Sequence, residues 1–279
     1  MPVSGSFLSL FACVALLCTV GFGAEEQRSG RIVGGRNADI KDHPHMLLLR
    51  KNGYATCGAV VIGAKYALTA AHCVYPASNT STVRSRVEDS MANCVITMLV
   101  LDQISLHGGG TTQTGPSVQF AVERFMVHPK YSDSGNDNDV AIIEISDEFS
   151  DYRNVQPIAL QDIEPSTLAG ACNVTGWGVT NTRTYAVSNT LQVGTLQLIS
   201  PRTCRLQWHP STVSVNMICA RGEAADACAG DSGGPLVCGD RLYGLVSWGT
   251  MRCDRTKPAV FTKIFASGVR AFIKVNSGI

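Results

Sequence analysis

One serine near the C-terminal end stands in a setting suited to nucleophilic chemistry. Ser232 lies in the run Gly230-Asp231-Ser232-Gly233-Gly234, where glycines lacking a Cβ let the backbone approach a substrate carbonyl closely. A serine hydroxyl is a weak nucleophile unless a base takes its proton and N–H groups receive the charge that develops on the attacked oxygen. Ser232 is therefore the candidate nucleophile, and the rest of the chain should hold its partners.

Two segments offer those partners. His72 ends an apolar, strand-like run at 67–71 and precedes Cys73, which could pin it. Asp139 stands at the head of the apolar segment 140–145, which can carry a carboxylate inward. A histidine that is oriented by a carboxylate and lies beside a serine can run acyl transfer. Asp137 is the alternative carboxylate, and the start of the apolar segment favours Asp139.

The type, order and spacing of these segments resemble the chymotrypsin/trypsin family of serine proteases. The resemblance runs from Arg31 to the C-terminus and also covers Ile32-Val33-Gly34-Gly35, Gly176-Trp177-Gly178, Ser247-Trp248-Gly249 and Lys257-Pro258-Ala259-Val260-Phe261-Thr262. It implies a catalytic triad of His72, Asp139 and Ser232. It also implies an oxyanion hole formed by the N–H groups of Gly230 and Ser232.

The same resemblance implies how substrates are chosen. Asp226 matches the carboxylate at the base of the specificity pocket in trypsin-like members, which favours Arg or Lys before the scissile bond. The other substrate-binding candidates are Ala227, Ser247, Trp248, Gly249 and Ala259. Ala227 replaces a serine that could solvate lysine, so we expect Arg over Lys. Ala259 replaces a pocket-wall glycine, and Arg252 stands where a small residue is usual at the pocket entrance.

The N-terminal region predicts processing in two steps. Residues 7–22 form an uncharged apolar stretch too short to span a bilayer, followed by small residues that suit a signal peptidase. We expect a signal peptide at 1–23, with an uncleaved membrane anchor as the alternative, and an activation propeptide at 24–31. Cleavage between Arg31 and Ile32 would create an amino group that pairs with Asp231, so the uncut chain should be a zymogen.

The cysteines suit an oxidising compartment. Of eleven cysteines, two fall in the predicted signal peptide and nine remain. The resemblance implies the bridges Cys57–Cys73, Cys172–Cys238, Cys204–Cys219 and Cys228–Cys253. Cys94 is then left over; a buried free thiol is favoured, and an intermolecular bridge is the alternative. Asn79 is the candidate N-glycosylation site.

Short apolar runs between Gly, Asn, Asp and Pro clusters, among them 60–68, 95–101 and 236–246, predict an all-β fold with antiparallel strands. The resemblance sharpens this into two six-stranded barrels, about 32–145 and 155–262, with the active site between them, within a protease domain at 32–279. Only residues 265–275 have helical spacing, which predicts a C-terminal helix. The glycine-rich run 108–115 is not followed by a helix, so we expect a flexible loop there and not a phosphate cradle.

Composition excludes some partners. Lys plus Arg number 23 against 22 for Asp plus Glu, a formal charge of +1, so no nucleic-acid surface is indicated. The histidines lack zinc spacing, and we expect no metal and no cofactor. The sequence therefore predicts a secreted, monomeric serine endopeptidase acting on proteins or peptides after cleavage by an activating protease. The alternatives are a catalytically weak binding protein of the same fold and a protease with a non-tryptic preference.

Overall fold

The computed structural model describes residues 32–75, 103–168 and 170–279. Strands dominate these ranges, which also contain three α-helices: α1 (Ala71–Val74), α2 (Pro201–Trp208) and α3 (Ser267–Ser277). Short 3₁₀ turns lie at Ile40–Asp42 and Phe149–Asp151. No helix within these ranges is long and apolar enough to cross a membrane. The predicted sites at Arg31, Asn79 and Cys94, and the predicted strand at 95–101, lie outside the described residues.

The first barrel follows a short strand, β1 (Arg36–Asn37). Its six strands are β2 (Met46–Lys51), β3 (Tyr54–Val61), β4 (Tyr66–Thr69), β5 (Ile104–Gly108), β6 (Val118–Val127) and β7 (Ala141–Ile145). They pair in the order β2-β3-β4-β7-β6-β5, every pair is antiparallel, and β5 pairs back to β2.

The second barrel closes in the same way. The remaining strands are β8 (Ala159–Leu160), β9 (Ala171–Gly176), β10 (Val179–Asn181), β11 (Ala186–Val187), β12 (Gln192–Ile199), β13 (Met217–Arg221), β14 (Pro235–Cys238), β15 (Arg241–Trp248) and β16 (Ala259–Lys263). The ring runs β9-β12-β13-β16-β15-β14 and returns to β9. Strand β1 adds to β12, and β8 lies parallel to β15. The predicted all-β fold of two six-stranded barrels is confirmed.

The strands between the barrels are buried on both faces. Along β2, Leu47 and Leu49 point into the first barrel, whereas Met46 and Leu48 pack with Trp177 and Leu191 of the second half. Because side chains alternate across a strand, one continuous apolar run can fill a barrel and line the junction with its neighbour.

The C-terminal helix seals this junction. Val269 and Ile273, one turn apart on α3, are fully buried beside Leu68, Leu242 and Leu245 from the two barrels. The helix ends at Gly278, whose positive φ of 78° closes the last turn. It spans Ser267–Ser277, two residues later than the predicted range at each end.

Three local predictions need correction. The apolar runs 60–68 and 236–246 are not single strands, because each contains a hairpin turn, at 62–65 and 239–240. The 108–115 loop was expected to be flexible. In the structure Gln113 Nε2 donates to Ser188 O at 2.8 Å, and Trp177 Nε1 donates to Thr111 O at 3.1 Å. These hydrogen bonds anchor the loop to the second half of the molecule.

Candidate active site

His72 and Asp139 meet at the junction of the barrels. His72 lies in the single turn α1, and Asp139 directly precedes the segment that leads into β7. His72 Nδ1 is 2.8 Å from Asp139 Oδ2, and the His72 N–H donates to Asp139 Oδ1 at 3.0 Å. The carboxylate is fully buried, whereas the imidazole is 31% exposed. A buried carboxylate thus orients an imidazole whose other side reaches solvent.

The second barrel also holds Asp139. Ser247 Oγ donates to Asp139 Oδ2 at 2.6 Å, and Thr262 Oγ1 donates to the Asp139 carbonyl at 2.7 Å. The resemblance suggested Ser247 only as a substrate-binding residue, and it gave no role to Thr262. Both hydroxyls lie on strands among apolar residues. A buried hydroxyl needs a hydrogen-bond partner, and this need is the sequence signal that could have indicated a contact with a polar group such as Asp139.

Asn138 explains how the chain turns toward Asp139. It adopts a left-handed conformation with φ of 53°, as does Asn136 with φ of 50°. Asparagine tolerates this region better than most residues. The alternation of Asn and Asp in this segment is therefore a conformational signal as well as a chemical one.

Asp137, the alternative carboxylate, points elsewhere. It accepts a hydrogen bond from Ser214 Oγ, and its two oxygens lie 3.2 and 3.3 Å from Asn216 Nδ2. Ser214 and Asn216 precede β13 of the second barrel. Asp137 therefore joins the two halves of the molecule, while Asp139 faces the imidazole.

The backbone of Ser232 lies against the segment that carries His72. Gly58 N donates to Ser232 O at 2.8 Å, and Cys73 Sγ lies 3.8 Å from the same oxygen. The Ser232 hydroxyl makes no hydrogen bond to any described residue. Such catalytic contacts are often loose in unliganded enzymes and tighten with substrate.

Two glycines shape the turn around Ser232. Gly230 and Gly233 have φ of 93° and 76°, a region that residues with a Cβ rarely adopt. A Cβ on Gly233 would also lie 2.3 Å from Thr69 Oγ1. Within the described ranges, the N–H groups of Gly230 and Ser232 donate to no protein acceptor. The turn therefore leaves two backbone N–H groups without a protein acceptor, which makes them candidate donors to an oxyanion.

Asp231 is buried beneath this turn. Its carboxylate accepts hydrogen bonds from Gly178 N at 2.9 Å and Cys228 N at 3.0 Å. No described Lys, Arg or His side chain forms an ion pair with it, and burial raises its pKa to about 7. A Cβ on Gly176 would lie 2.1 Å from Asp231 Oδ1. The glycines of the Gly-Trp-Gly motif thus make room for this carboxylate, a function that sequence reasoning missed.

Asp226 is a second buried carboxylate near the turn. It is 4% exposed, and burial raises its pKa to about 6. Arg255 N donates to its Oδ2 at 3.2 Å, and its own N–H donates to Val33 O at 2.9 Å. Hydrogen bonds therefore hold both the side chain and the backbone of Asp226. Its buried negative charge is unfavourable for the folded state unless a cation lies nearby.

Of the remaining pocket candidates, Ser247 and Trp248 end β15, Gly249 follows it, Ala259 begins β16, and Ala227 directly follows Asp226 in the chain. Gly249 faces Ala259, since a Cβ added to Gly249 would lie 3.8 Å from Ala259 Cα. Ala259 is 3% exposed and belongs to the buried apolar cluster of the second barrel. The Trp248 ring packs edge-on against Trp208 at 4.6 Å, and Ala227 packs against the core of the second barrel.

Four disulfides join the pairs that the resemblance implies: Cys57–Cys73, Cys172–Cys238, Cys204–Cys219 and Cys228–Cys253. The first fastens the turn after His72 to β3. The last links the segment before Ser232 to the segment after Gly249. Cys57, His72 and Cys73 lie together as metal-type side chains, but the two sulfurs are bonded to each other and neither is a free thiolate.

Comparison with known proteins agrees with this architecture. A family model described as Trypsin matches residues 32–269. Trypsin alpha of Drosophila erecta is 32% identical over 259 residues, covering 92% of each chain. Trypsin delta of Drosophila melanogaster is 31% identical over 272 residues, covering 97% of each chain. The chain therefore belongs to the trypsin family and is a serine endopeptidase.

Proposed function

We propose that this protein is a secreted protease, made as an inactive precursor, that cleaves peptide bonds after Arg and less readily after Lys. The observation that carries the proposal is the buried Asp139 carboxylate 2.8 Å from His72 Nδ1, next to the backbone of Ser232. This arrangement supports an acyl-enzyme mechanism in which His72 moves the proton of Ser232.

In the proposed reaction, Ser232 Oγ attacks the scissile carbonyl carbon while His72 Nε2 accepts the hydroxyl proton. Asp139 holds the imidazole in the required tautomer and stabilises its cationic form. His72 then gives the proton to the leaving amine, and water repeats the sequence to release the acid. The free N–H groups of Gly230 and Ser232 would hold the oxyanion, and removal of one such donor from a serine protease costs about 2.7–4 kcal/mol.

The environment of Asp231 supports activation by cleavage after Arg31. An ionised carboxylate without a cation is unfavourable in a buried site, and only two backbone N–H groups contact Asp231 among the described residues. The Ile32 side chain is already fully buried in the second barrel, beside Ala225 and Val174. We infer that the amino group created at Ile32 pairs with Asp231 and completes the oxyanion hole.

Asp226 supports the preference for Arg. A substrate guanidinium would pair with its buried charge and donate two parallel N–H hydrogen bonds to the carboxylate. Ala227 offers no hydroxyl to solvate a lysine ammonium, so Lys should be cleaved more slowly. A second candidate is a non-tryptic preference before the scissile bond, because Ala259 lies next to Gly249 and adds a methyl group that would narrow the pocket.

Secretion, monomeric state and an external activating protease complete the proposal. Four disulfides suit an oxidising compartment, and the apolar stretch at 7–22 suits a signal peptide. The substrates are proteins or peptides.

A fluorophosphonate probe tests the catalytic part of the proposal. We expect covalent labelling of Ser232 after cleavage at Arg31, weak labelling of the uncut chain, and none of Ser232→Ala. Peptides varied only at the residue before the scissile bond then test specificity. Preference for Leu, Tyr or Phe over Arg would reject the tryptic assignment, and equal labelling of cut and uncut chains would reject zymogen activation.

A further inference from the structure

Asp226 has a charged neighbour that the proposed specificity does not include. Arg255 follows the Cys228–Cys253 bridge in the segment between Gly249 and Ala259. Its backbone N–H donates to Asp226 Oδ2 at 3.2 Å, so residue 255 lies directly against the carboxylate. The guanidinium Nη1 donates to the carbonyl of Ala224, two residues before Asp226. Both ends of Arg255 are therefore tied to the segment that carries the acid.

The backbone of Arg255 adopts an unfavourable, left-handed conformation. Its φ is 60°, in the left-handed region that is uncommon for residues with a Cβ. On the other side of the 224–226 segment, Val33 O accepts the Asp226 N–H, and Gly34 is so close that a Cβ would lie 1.6 Å from Ala224 O. Residues 224–226 thus contact residues 33–34 as well as Arg255.

Three charged groups act on the Asp226 carboxylate. Burial is the main influence and raises its pKa to about 6, and hydrogen bonds from the backbone N–H groups of Arg255 and Ala227 lower it. The Arg255 cation lowers the pKa further, by less than these hydrogen bonds, and the Asp254 anion raises it. Asp231 and Asp226 also repel each other when both are ionised. Asp254 is occupied by hydrogen bonds from Thr250 and Thr256. Arg255 is therefore the cation that acts on the acid from within the described structure.

We propose that Arg255 is a specificity-determining residue, which keeps Asp226 ionised and at the same time weakens its attraction for a cationic substrate side chain. This rests on the proposed function, in which Asp226 receives the substrate residue before the scissile bond. A fixed cation behind the carboxylate favours its charged form and repels a second cation.

Removal of the Arg255 charge should have opposite effects at the two ends of the pH range. At high pH Asp226 is ionised with or without Arg255, so the substrate cation should be preferred more strongly in the variant. At low pH the unassisted carboxylate takes up a proton sooner, so the preference should be lost at a higher pH. This crossing pattern separates an electrostatic role from simple damage to the pocket.

The test compares two peptide substrates that differ only in charge before the scissile bond, one with Arg and one with its neutral isostere citrulline. The ratio of their kcat/KM values is measured from pH 5 to 9 on full-length protein cleaved after Arg31. Any pH dependence of the chemical steps that both substrates share cancels in the ratio. The ratio also does not depend on the fraction of correctly folded enzyme.

For Arg255→Gln, we expect the ratio at pH 8–9 to rise about 3- to 10-fold, and the pH at which it falls to move upward. Arg255→Lys should restore both toward wild type. Arg255→Gly provides a variant that relieves the left-handed strain, and it should behave like the glutamine variant. Arg202→Gln removes the same charge from an exposed position on α2 and should leave the ratio unchanged.

Arg252→Gln distinguishes the effect of a cation expected at the pocket entrance from the effect of Arg255, which contacts Asp226. If this variant reproduces the crossing pattern and Arg255→Gln does not, the assignment to Arg255 is wrong. An unchanged ratio in both Arg255→Gln and Arg255→Gly also overturns it. A wild-type ratio near one at every pH would instead reject Asp226 as the specificity residue, and the inference would fall together with the proposed function.

Discussion

Two aspartates near Ser232, Asp139 and Asp231, are fully buried but differ in their hydrogen-bond partners. Asp139 contacts a titratable imidazole, a serine hydroxyl and a backbone N–H, contributed by both barrels. Asp231 contacts two backbone N–H groups of the second half, and no cationic side chain within the described ranges pairs with it. In the uncut chain Asp139 has side-chain and backbone partners, whereas Asp231 has only two backbone N–H donors among the described residues.

Under the proposed activation, this difference separates the parts of the site that folding alone completes from the part that depends on cleavage after Arg31. The barrels bring His72, Asp139 and Ser247 together through ordinary strand packing. Strand packing does not balance the charge of Asp231, because that requires a cation in the protein interior. An inactive precursor can therefore carry a finished base and an unfinished oxyanion hole.

The largest expected effect follows from loss of the Asp139 charge. Asp139→Asn should reduce kcat by about 10⁴, because the amide favours the wrong imidazole tautomer for accepting the Ser232 proton. Steady-state kinetics on a peptide substrate of the cleaved enzyme measure this change. The protein should still bind substrate, so the change should appear in kcat more than in KM.

Asp137→Asn is the matched control for this variant. Its side chain contacts Ser214 and Asn216, so the amide should lower thermal stability while kcat stays within about threefold of wild type. A loss of activity in Asp137→Asn as large as that in Asp139→Asn would show that the two carboxylates were assigned the wrong way round.

The second expected effect concerns Asp231. In the cleaved enzyme, Asp231→Asn removes the partner of the new amino group and should misplace the Gly230 N–H. A loss of kcat of about 10²–10³ is expected, the size associated with one oxyanion donor. The uncut chain should show little change in its low basal activity. A cleaved Asp231→Asn variant with full activity would contradict the proposed activation.

The third expected effect is on stability and has the opposite sign. Burial raises the folded-state pKa of Asp231 from 3.8 to about 7. The folded chain therefore binds this proton more tightly than the unfolded chain, and the stability it contributes is lost as the pH rises from about 4 to about 7. In the uncut protein, Asp231→Asn should remove this loss and raise stability at pH 8, on the order of a few kcal/mol.

Chemical denaturation of the uncut wild-type and Asp231→Asn proteins at pH 5 and pH 8 measures the difference. Burial also raises the pKa of Asp226, and this effect of burial is present in both proteins. The asparagine variant additionally loses the repulsion between the two ionised carboxylates, which adds to its advantage at pH 8. After cleavage at Arg31, the new cation should abolish the advantage of the asparagine variant. The same advantage in cut and uncut proteins would argue against the pairing with Ile32.

Much of this arrangement could be predicted from the sequence because it depends on short, local signals. The alternating and continuous apolar runs predicted the strands, and the fold followed from the resemblance carried by several ordered motifs. The hairpin turns inside 60–68 and 236–246 were missed, since apolar residues on both sides of a turn read as one buried strand.

Contacts between distant residues were harder to predict. Nothing in the local sequence joins Thr262 to the Asp139 carbonyl or Arg255 to Asp226, because each contact crosses the molecule or depends on a backbone turn. The glycines at 176 and 178 were recognised only as part of a motif. Both positions need glycine because a Cβ there would overlap the carboxylate of Asp231, which lies more than fifty residues later in the chain.

The smallest expected effect tests how much the second barrel contributes to Asp139. Ser247→Ala removes one donor to the buried carboxylate, and a hydrogen bond to a charged group is commonly worth about 1.5–3 kcal/mol. Because His72 and the backbone still hold the acid, we expect a loss near the low end, about tenfold in kcat. Thr262→Val is the matched variant, since its hydroxyl reaches the Asp139 carbonyl and not the carboxylate. It should lower the melting temperature while changing kcat less than Ser247→Ala does. Equal losses of kcat in the two variants would mean that both hydroxyls act by fixing the backbone, and that the charge of Asp139 is supported from the first barrel alone.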